Sequence, residues 1–309
     1  MTKPSLSPRL AYLLLTLTAL FWSGNFVLAR AMHASVAPMT LSFARWSIAL
    51  CLLLPFGAAP AWRQRALWLP HWRRLLLLGL LGVTGFNSLV YWGLQYTVAT
   101  NGVLLNSFIP ILIVLFGALF FGVSIARRQT LAVAISFAGV LLVVAHGDWH
   151  RLAALDINRG DAVVFLAMVA WALYTLLLRG MPPALDRIGL LTLQVAIGLI
   201  GIVPLFAWEL AGGRHTPLNA ATLATFAYVG TLPSVAAYYF YNLGVTRVGA
   251  ARAGMFIHLM PMFGALLSML FLGEALQLYH LAGITLILAG VTLATRSPAE
   301  PRLQGERST

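Results

Sequence analysis

Ten runs of mainly apolar residues, near 10–29, 36–56, 75–95, 101–122, 129–145, 161–178, 188–208, 221–242, 250–272 and 279–295, fill most of the chain, with short connections between them. A hydrocarbon core about 30 Å thick is crossed by roughly 20 helical residues, and inside it every backbone polar group must be satisfied within the segment. The pattern therefore predicts an all-α membrane protein with ten transmembrane helices, and it leaves no stretch for a soluble domain. Only 9% of the 309 residues are charged, where soluble domains carry roughly a quarter. The first run follows Lys3 and Arg9 as a secretory signal would, but it is too long and too polar near its end for a signal core, so it reads as a retained span. The single cysteine, Cys51, lies within the second run and excludes an intramolecular disulfide.

A net charge of +12 suggests nucleic acid until the charges are placed. With a cytoplasmic N-terminus, fifteen of the 20 Lys and Arg fall on the cytoplasmic side, including Lys3, Arg9, the Arg63–Arg74 cluster, Arg127, Arg128 and Arg179. Arg30, Arg151, Arg159 and Arg214 fall outside, and Arg45 alone lies within a span. This is the positive-inside bias of a polytopic protein with both termini in the cytoplasm. The basic surface thus reports topology, and no nucleic-acid partner is expected.

The two halves of the chain align with each other. At an offset of 149, Trp22, Arg30, Ile48 and Pro55 meet Trp171, Arg179, Ile197 and Pro204; at 151, Gly93, Pro110, Gly122 and Ala138-Gly139-Val140 meet Gly244, Pro261, Gly273 and Ala289-Gly290-Val291. Leu and Ala matches carry little weight in such a composition, but Gly, Pro, Trp and Arg in register do. The expected units are a five-helix repeat over 1–145, an external connection over 146–160, a second repeat over 161–295 and a disordered tail over 296–309. Five is odd, so the second repeat must enter the membrane from the opposite side. Inverted repeats suit a carrier, because exchanging the conformations of the halves moves access from one face to the other around a midplane site.

Polar side chains in lipid-spanning segments are expected to face a cavity or another helix. Thr18, Trp22, Asn25 and Ala29 share one helical face, as do Thr84, Asn87, Tyr91 and Gln95 in the third span and Thr231, Ser234, Tyr238 and Tyr241 in the eighth. Trp171 and Tyr174 add aromatic rings from the sixth. Such rings with polar edges suit a planar or amphipathic solute; helix packing is the alternative for Asn25, and interface anchoring for the tryptophans. Pro110 and Pro261 each remove a backbone hydrogen bond, freeing the carbonyls of Asn106 and Ile257 and marking hinges. Arg45 is a candidate for a substrate carboxylate or for the end of a neighbouring helix. His258 is the mid-span group that titrates near neutrality, and the eight acids fall in loops, tails or span ends; proton coupling, exchange and facilitated diffusion stay open. HGDWH at 146–150 lacks the partners a metal site needs, and no Walker A sequence is present.

ALFWSGNFVLAR in the first span, LSFARWSIAL in the second, NSFIPILIVLFGALFFG in the fourth and HLMPMFGALLSMLFLGEAL in the ninth resemble the EamA-like exporters of the drug/metabolite transporter superfamily over residues 10–295. The resemblance implies a ten-helix inverted-repeat bundle in the bacterial inner membrane that exports small metabolites such as amino acids. Trp22, Asn25, Arg45, Pro110, Pro261 and Glu274 match recurring positions of that pattern. Val123 departs from it, because the first half of the family often ends its fourth span in Gly-Glu.

The sequence therefore leads to a non-enzymatic transporter exporting amino acids or related amphipathic solutes by alternating access. Its expected substrate-binding residues are Trp22, Asn25, Arg45, Asn87, Tyr91, Asn106, Trp171, Tyr174, Tyr238 and His258. No cofactor or metal is expected; the partners are the solute and the lipid bilayer, with a homodimer left open. A sugar-phosphate or nucleotide-sugar exchanger is the alternative, but it favours several cavity cations. A membrane-embedded transferase needs convergent acids or histidines, and none cluster in the sequence.

Overall fold

The computed structural model describes residues 6–32, 35–97, 99–148, 150, 158–272 and 277–296. All regular structure among them is helical. In chain order the rods are α1 (Pro8–Met32), α2 (Pro38–Arg63), α3 (Arg65–Gly93), α4 (Ala99–Asn106 and Ile109–Phe121), α5 (Arg127–Val144), α6 (Arg159–Arg179), α7 (Arg187–Ala211), α8 (Ala220–Val248), α9 (from Ala250–Met255 through Leu259–Leu272) and α10 (Leu278–Thr295). From α2 onward, nine helices among the described residues are long and apolar enough to span a bilayer. The 25-residue α1 has the length as well.

Local chemistry sets several boundaries. Asn158 and Asp161 form a reciprocal capping box at the start of α6. Asp186 accepts from the amides of Ile188 and Gly189 at the start of α7, and Asn219 from Thr222 at the start of α8. The first amides of α2 are met by a distant residue, as Met39 and Thr40 donate to the buried Glu209 carboxylate at 2.9 and 2.7 Å. A negative charge there also complements the helix dipole. Gly122 closes α4 in the left-handed region at φ 63°.

The breaks within helices come in pairs at the offset of 151. A π-helical turn interrupts α3 at Leu80–Gly85 and α8 at Leu232–Ala236. A turn at Ser107 and Phe108 splits α4, and a 3-10 turn at Phe256–His258 splits α9. Pro110 and Pro261 follow these two breaks, as the missing N–H of each proline requires.

The packing is paired in the same way. Helices α2 and α7 lie antiparallel: Met39 meets Glu209, Phe43 stacks on Phe206 at 4.3 Å, and Gly57 lies against Thr192. Helices α5 and α10 are also antiparallel, in contact through glycine. A Cβ on Gly139 would meet the Gly283 carbonyl oxygen at 2.6 Å and the Ile287 nitrogen at 2.8 Å. At Gly290, 151 residues on, it would meet the Ala132 carbonyl oxygen at 2.6 Å and the Ser136 nitrogen at 2.8 Å. Those partners carry the same offset, so one contact occurs twice. Likewise Gly93 in α3 lies against Val164 of α6, while Gly244 in α8 lies against Leu15 of α1. Small residues permit this close approach between membrane helices.

Candidate functional site

The π-helical turns in α3 and α8 hold, by hydrogen bonds, residues that line a cavity. Pro233 has no N–H for the Val229 carbonyl, and the Ser234 hydroxyl donates to that carbonyl instead, at 2.6 Å. The carbonyl of Pro233 then accepts from Trp22 Nε1 at 3.1 Å. In α3 the Gly82 carbonyl, at the matching position, accepts from the Tyr238 hydroxyl at 2.6 Å. Each turn thus presents a backbone oxygen to aromatic residues of other helices.

Trp22 and Tyr238, which bond these carbonyls, line a cavity together with Asn25 of α1, Arg45 of α2, Phe86 and Asn87 of α3, Asn106 and Ile109 of α4, Trp171 of α6, and Ile257 and Met260 of α9. It is narrow and admits about one water molecule. Its aromatic wall is a contact cluster. Trp22 meets Trp171 edge-on at 5.0 Å, and Tyr238 lies 5.2 Å from Trp171 and 4.9 Å from Trp46. Phe86 lies 4.7 Å from Trp171.

Arg45, 1% exposed, is the charged member. Its Nε donates to Ser234 Oγ at 2.5 Å, and its Nη1 to the Tyr91 hydroxyl at 2.9 Å and Asn25 Oδ1 at 3.2 Å. Nη2 reaches only the Pro233 carbonyl, at 3.4 Å. Tyr91 in turn donates to Asn25 Oδ1 at 3.1 Å. These partners are all neutral. A guanidinium has five N–H donors, so one on Nη2 has no partner among the described residues.

The structure gathers Trp22, Asn25, Arg45, Asn87, Asn106, Trp171 and Tyr238 around the cavity, with Tyr91 behind Arg45. Asn87 donates to the Tyr238 hydroxyl at 3.1 Å, and Asn106 donates to the Met260 sulfur at 3.4 Å. His258 stands elsewhere. Its Nε2 donates to the Ser107 carbonyl at 2.9 Å, so Nδ1 accepts from the Ser136 hydroxyl at 2.7 Å. Fully buried, it ties α9 to the α4 break and to α5 and does not line the cavity. Tyr174 is also outside the lining, behind Trp171. Pro110 and Pro261 sit at the helix breaks.

The shared face of Thr84 with Asn87 and Tyr91 is a correction as well. The π-helical turn inserts a residue between them and rotates Thr84 away, so its hydroxyl donates to the Gly198 carbonyl of α7 at 2.7 Å. Thr231 is turned aside in the same manner and bonds the Ala227 carbonyl of its own helix. Glu274 lies outside the described residues, as do the side chains of Ala29 and Arg30. The apolar lining residues Phe86, Ile109, Ile257 and Met260 were missed by a reading that followed polarity. Their signal was position, since each neighbours a polar or proline residue already singled out.

A helical bundle enclosing a polar and aromatic cavity at its helix breaks defines a multi-pass membrane transporter. The chain belongs to the EamA-like transporter family, whose model matches it twice, over residues 9–145 and 158–296. It is similar to uncharacterized transporters from Archaeoglobus fulgidus (31% identical, covering 92% of this chain and 96% of the relative) and Bacillus subtilis (YyaM, 25%, covering 92% and 93%). A Streptantibioticus cattleyicolor protein named "Probable terminal-alkyne amino-acid exporter" is 25% identical and covers 91% of this chain and 92% of its own length. The fold matches a solved crystal structure with a TM-score of 0.72 at 20% identity, covering 92% of this chain and 96% of the other.

Proposed function

We propose that the chain exports small amphipathic carboxylates, amino acids first among them, by alternating access between two inverted five-helix repeats in the bacterial cytoplasmic membrane. The observation that carries this reading is Arg45. It is buried in the bundle, lines the cavity and has only neutral hydrogen-bond partners among the described residues. An ionisable group held at membrane depth is costly and belongs where it meets a partner, and a guanidinium recognises a carboxylate well. The aromatic wall suits an apolar side chain on the same solute.

Support for the repeats comes from the paired breaks, the paired glycine contacts and the two family matches. Antiparallel packing of α2 on α7 and of α5 on α10 favours an axis in the membrane plane. The charge bias supports cytoplasmic termini, and the similarity to a named amino-acid exporter supports the substrate class.

Counterflow in proteoliposomes tests the reading. Vesicles preloaded with L-phenylalanine are expected to accumulate labelled L-phenylalanine with no imposed gradient, and phenylethylamine, which lacks the carboxylate, is expected not to compete. Arg45→Gln is expected to raise KM by about tenfold or more, since hydrogen bonds to charged groups contribute about 1.5–3 kcal/mol. Unchanged KM in correctly inserted Arg45→Gln protein would sink the carboxylate assignment.

A further inference from the structure

The contacts around Arg45 have a counterpart at the repeat offsets. Adding the offsets of 149 and 151 carries Asn25, Arg45 and Tyr91 onto Tyr174, Gln194 and Asn242. These three are also in contact, the Tyr174 hydroxyl lying 2.7 Å from Asn242 Oδ1 and 3.2 Å from Gln194 Oε1. All three are completely buried. This cluster carries no charge, and its hydrogen bonding is incomplete: Gln194 Nε2 and Asn242 Nδ2 have no partner. One hydroxyl cannot satisfy two amides. The single hydroxyl proton serves one amide oxygen; turning the other amide lets its N–H2 donate to the hydroxyl oxygen, and each amide then still has one unmet end. Buried polar groups in native proteins are nearly always paired, so two unmet amides in one cluster point to a ligand.

The cavity lining indicates when that ligand arrives. Eight of its residues form four pairs at the offsets: Trp22 with Trp171, Asn87 with Tyr238, Asn106 with Ile257, and Ile109 with Met260. Asn25, Arg45 and Phe86 line it without their counterparts Tyr174, Gln194 and Ala237. The cavity is thus centred on the paired residues and displaced toward the Arg45 cluster. Exchanging the conformations of the two halves displaces it toward Gln194.

We propose that Tyr174, Gln194 and Asn242 form a second, uncharged subsite that receives the carboxylate of the substrate in the opposite access state; this rests on the carboxylate reading above. The two amide N–H2 groups donate to its oxygens. Without an ion pair the subsite binds more weakly than Arg45, so the carrier has unequal affinities at its two faces.

The test is transport of labelled L-phenylalanine measured from each face, in vesicles that hold the full chain in one orientation. Gln194→Met is expected to raise KM at one face about tenfold, the loss of one charge-assisted hydrogen bond, while the other face stays within about twofold. Arg45→Gln is expected to show the reverse preference. If Gln194→Met does not insert, Gln194→Glu carries the same expectation, because it places an acceptor where the donor stood. Equal changes at both faces, or a fall in Tm with KM unchanged at both, would show that the cluster only packs helices or holds a structural water, and would overturn the subsite. A wild-type protein that moves no amino acid would instead remove the carboxylate reading, and the subsite with it.

Discussion

At the scale of single residues, two ionisable groups in the bundle have opposite fates. Arg45 presents more donors than its neighbours among the described residues accept, and the residue lines the cavity. Both nitrogens of His258 are committed, to Ser136 and the Ser107 carbonyl, and neither faces the cavity. The expected outcome for His258→Ala is therefore a loss of stability on the order of 2–4 kcal/mol, from lost packing and an unpaired Ser107 carbonyl. Thermal unfolding in detergent should show the fall while KM stays within about twofold; a KM change without destabilisation would return His258 to the transport pathway. The sequence marked both residues as mid-span ionisable groups and could not separate them. What separates them is their partners, a hydroxyl and a carbonyl brought from two other helices. Gln194 and Asn242 were legible in principle, because the offsets found from Trp22 and Gly93 project Arg45 and Tyr91 onto them. They were passed over because neither carries charge.

Helix breaks decide which face of an element meets the cavity. An uninterrupted α-helix would put Thr84 and Asn87 three positions apart on one side; the π-helical turn sends Thr84 to α7 and Asn87 to the cavity. Periodicity reads span positions and lengths well, since an apolar run needs only its length to be recognised. It does not read an inserted residue within a span, because the turn is favoured by tertiary partners such as Tyr238 on the Gly82 carbonyl. In α8 the cause is partly local, since Pro233 withholds the N–H that Val229 would accept. Pro233→Ala supplies that N–H and removes a helix-interior proline worth roughly 3 kcal/mol. The variant is expected to unfold at a higher temperature and to transport more slowly, because Ser234 no longer needs to bond Val229 and loses its fixed position under Arg45 Nε. Thermal unfolding and counterflow on one preparation check both halves of the prediction. A stabilised variant with full activity would make the turn a packing feature.

For the whole molecule, the residues that touch their own counterparts at the repeat offsets matter most. Trp22 meets Trp171, Asn87 bonds Tyr238, and the Ser107 carbonyl accepts from His258. Residues related by a two-fold axis touch only where they lie beside it, so under the proposed inverted repeat these three contacts lie beside the axis, at the cavity and at the α4 and α9 breaks. Under the proposed exchange of the two halves, departures from symmetry mark which access state is present. Phe86 lines the cavity, whereas Ala237, its counterpart, is fully buried outside it. With the native cysteine removed by Cys51→Ala, Phe86→Cys and Ala237→Cys are expected to react with a membrane-impermeant thiol reagent from opposite faces. Conditions that favour one access state should raise one rate as they lower the other. A ligand that binds the two states unequally shifts their populations by that difference, so L-phenylalanine at saturating concentration on one side is the lever. Rates that rise and fall together would mean that the halves do not exchange conformations, and the paired breaks would then be a record of duplication with no part in transport.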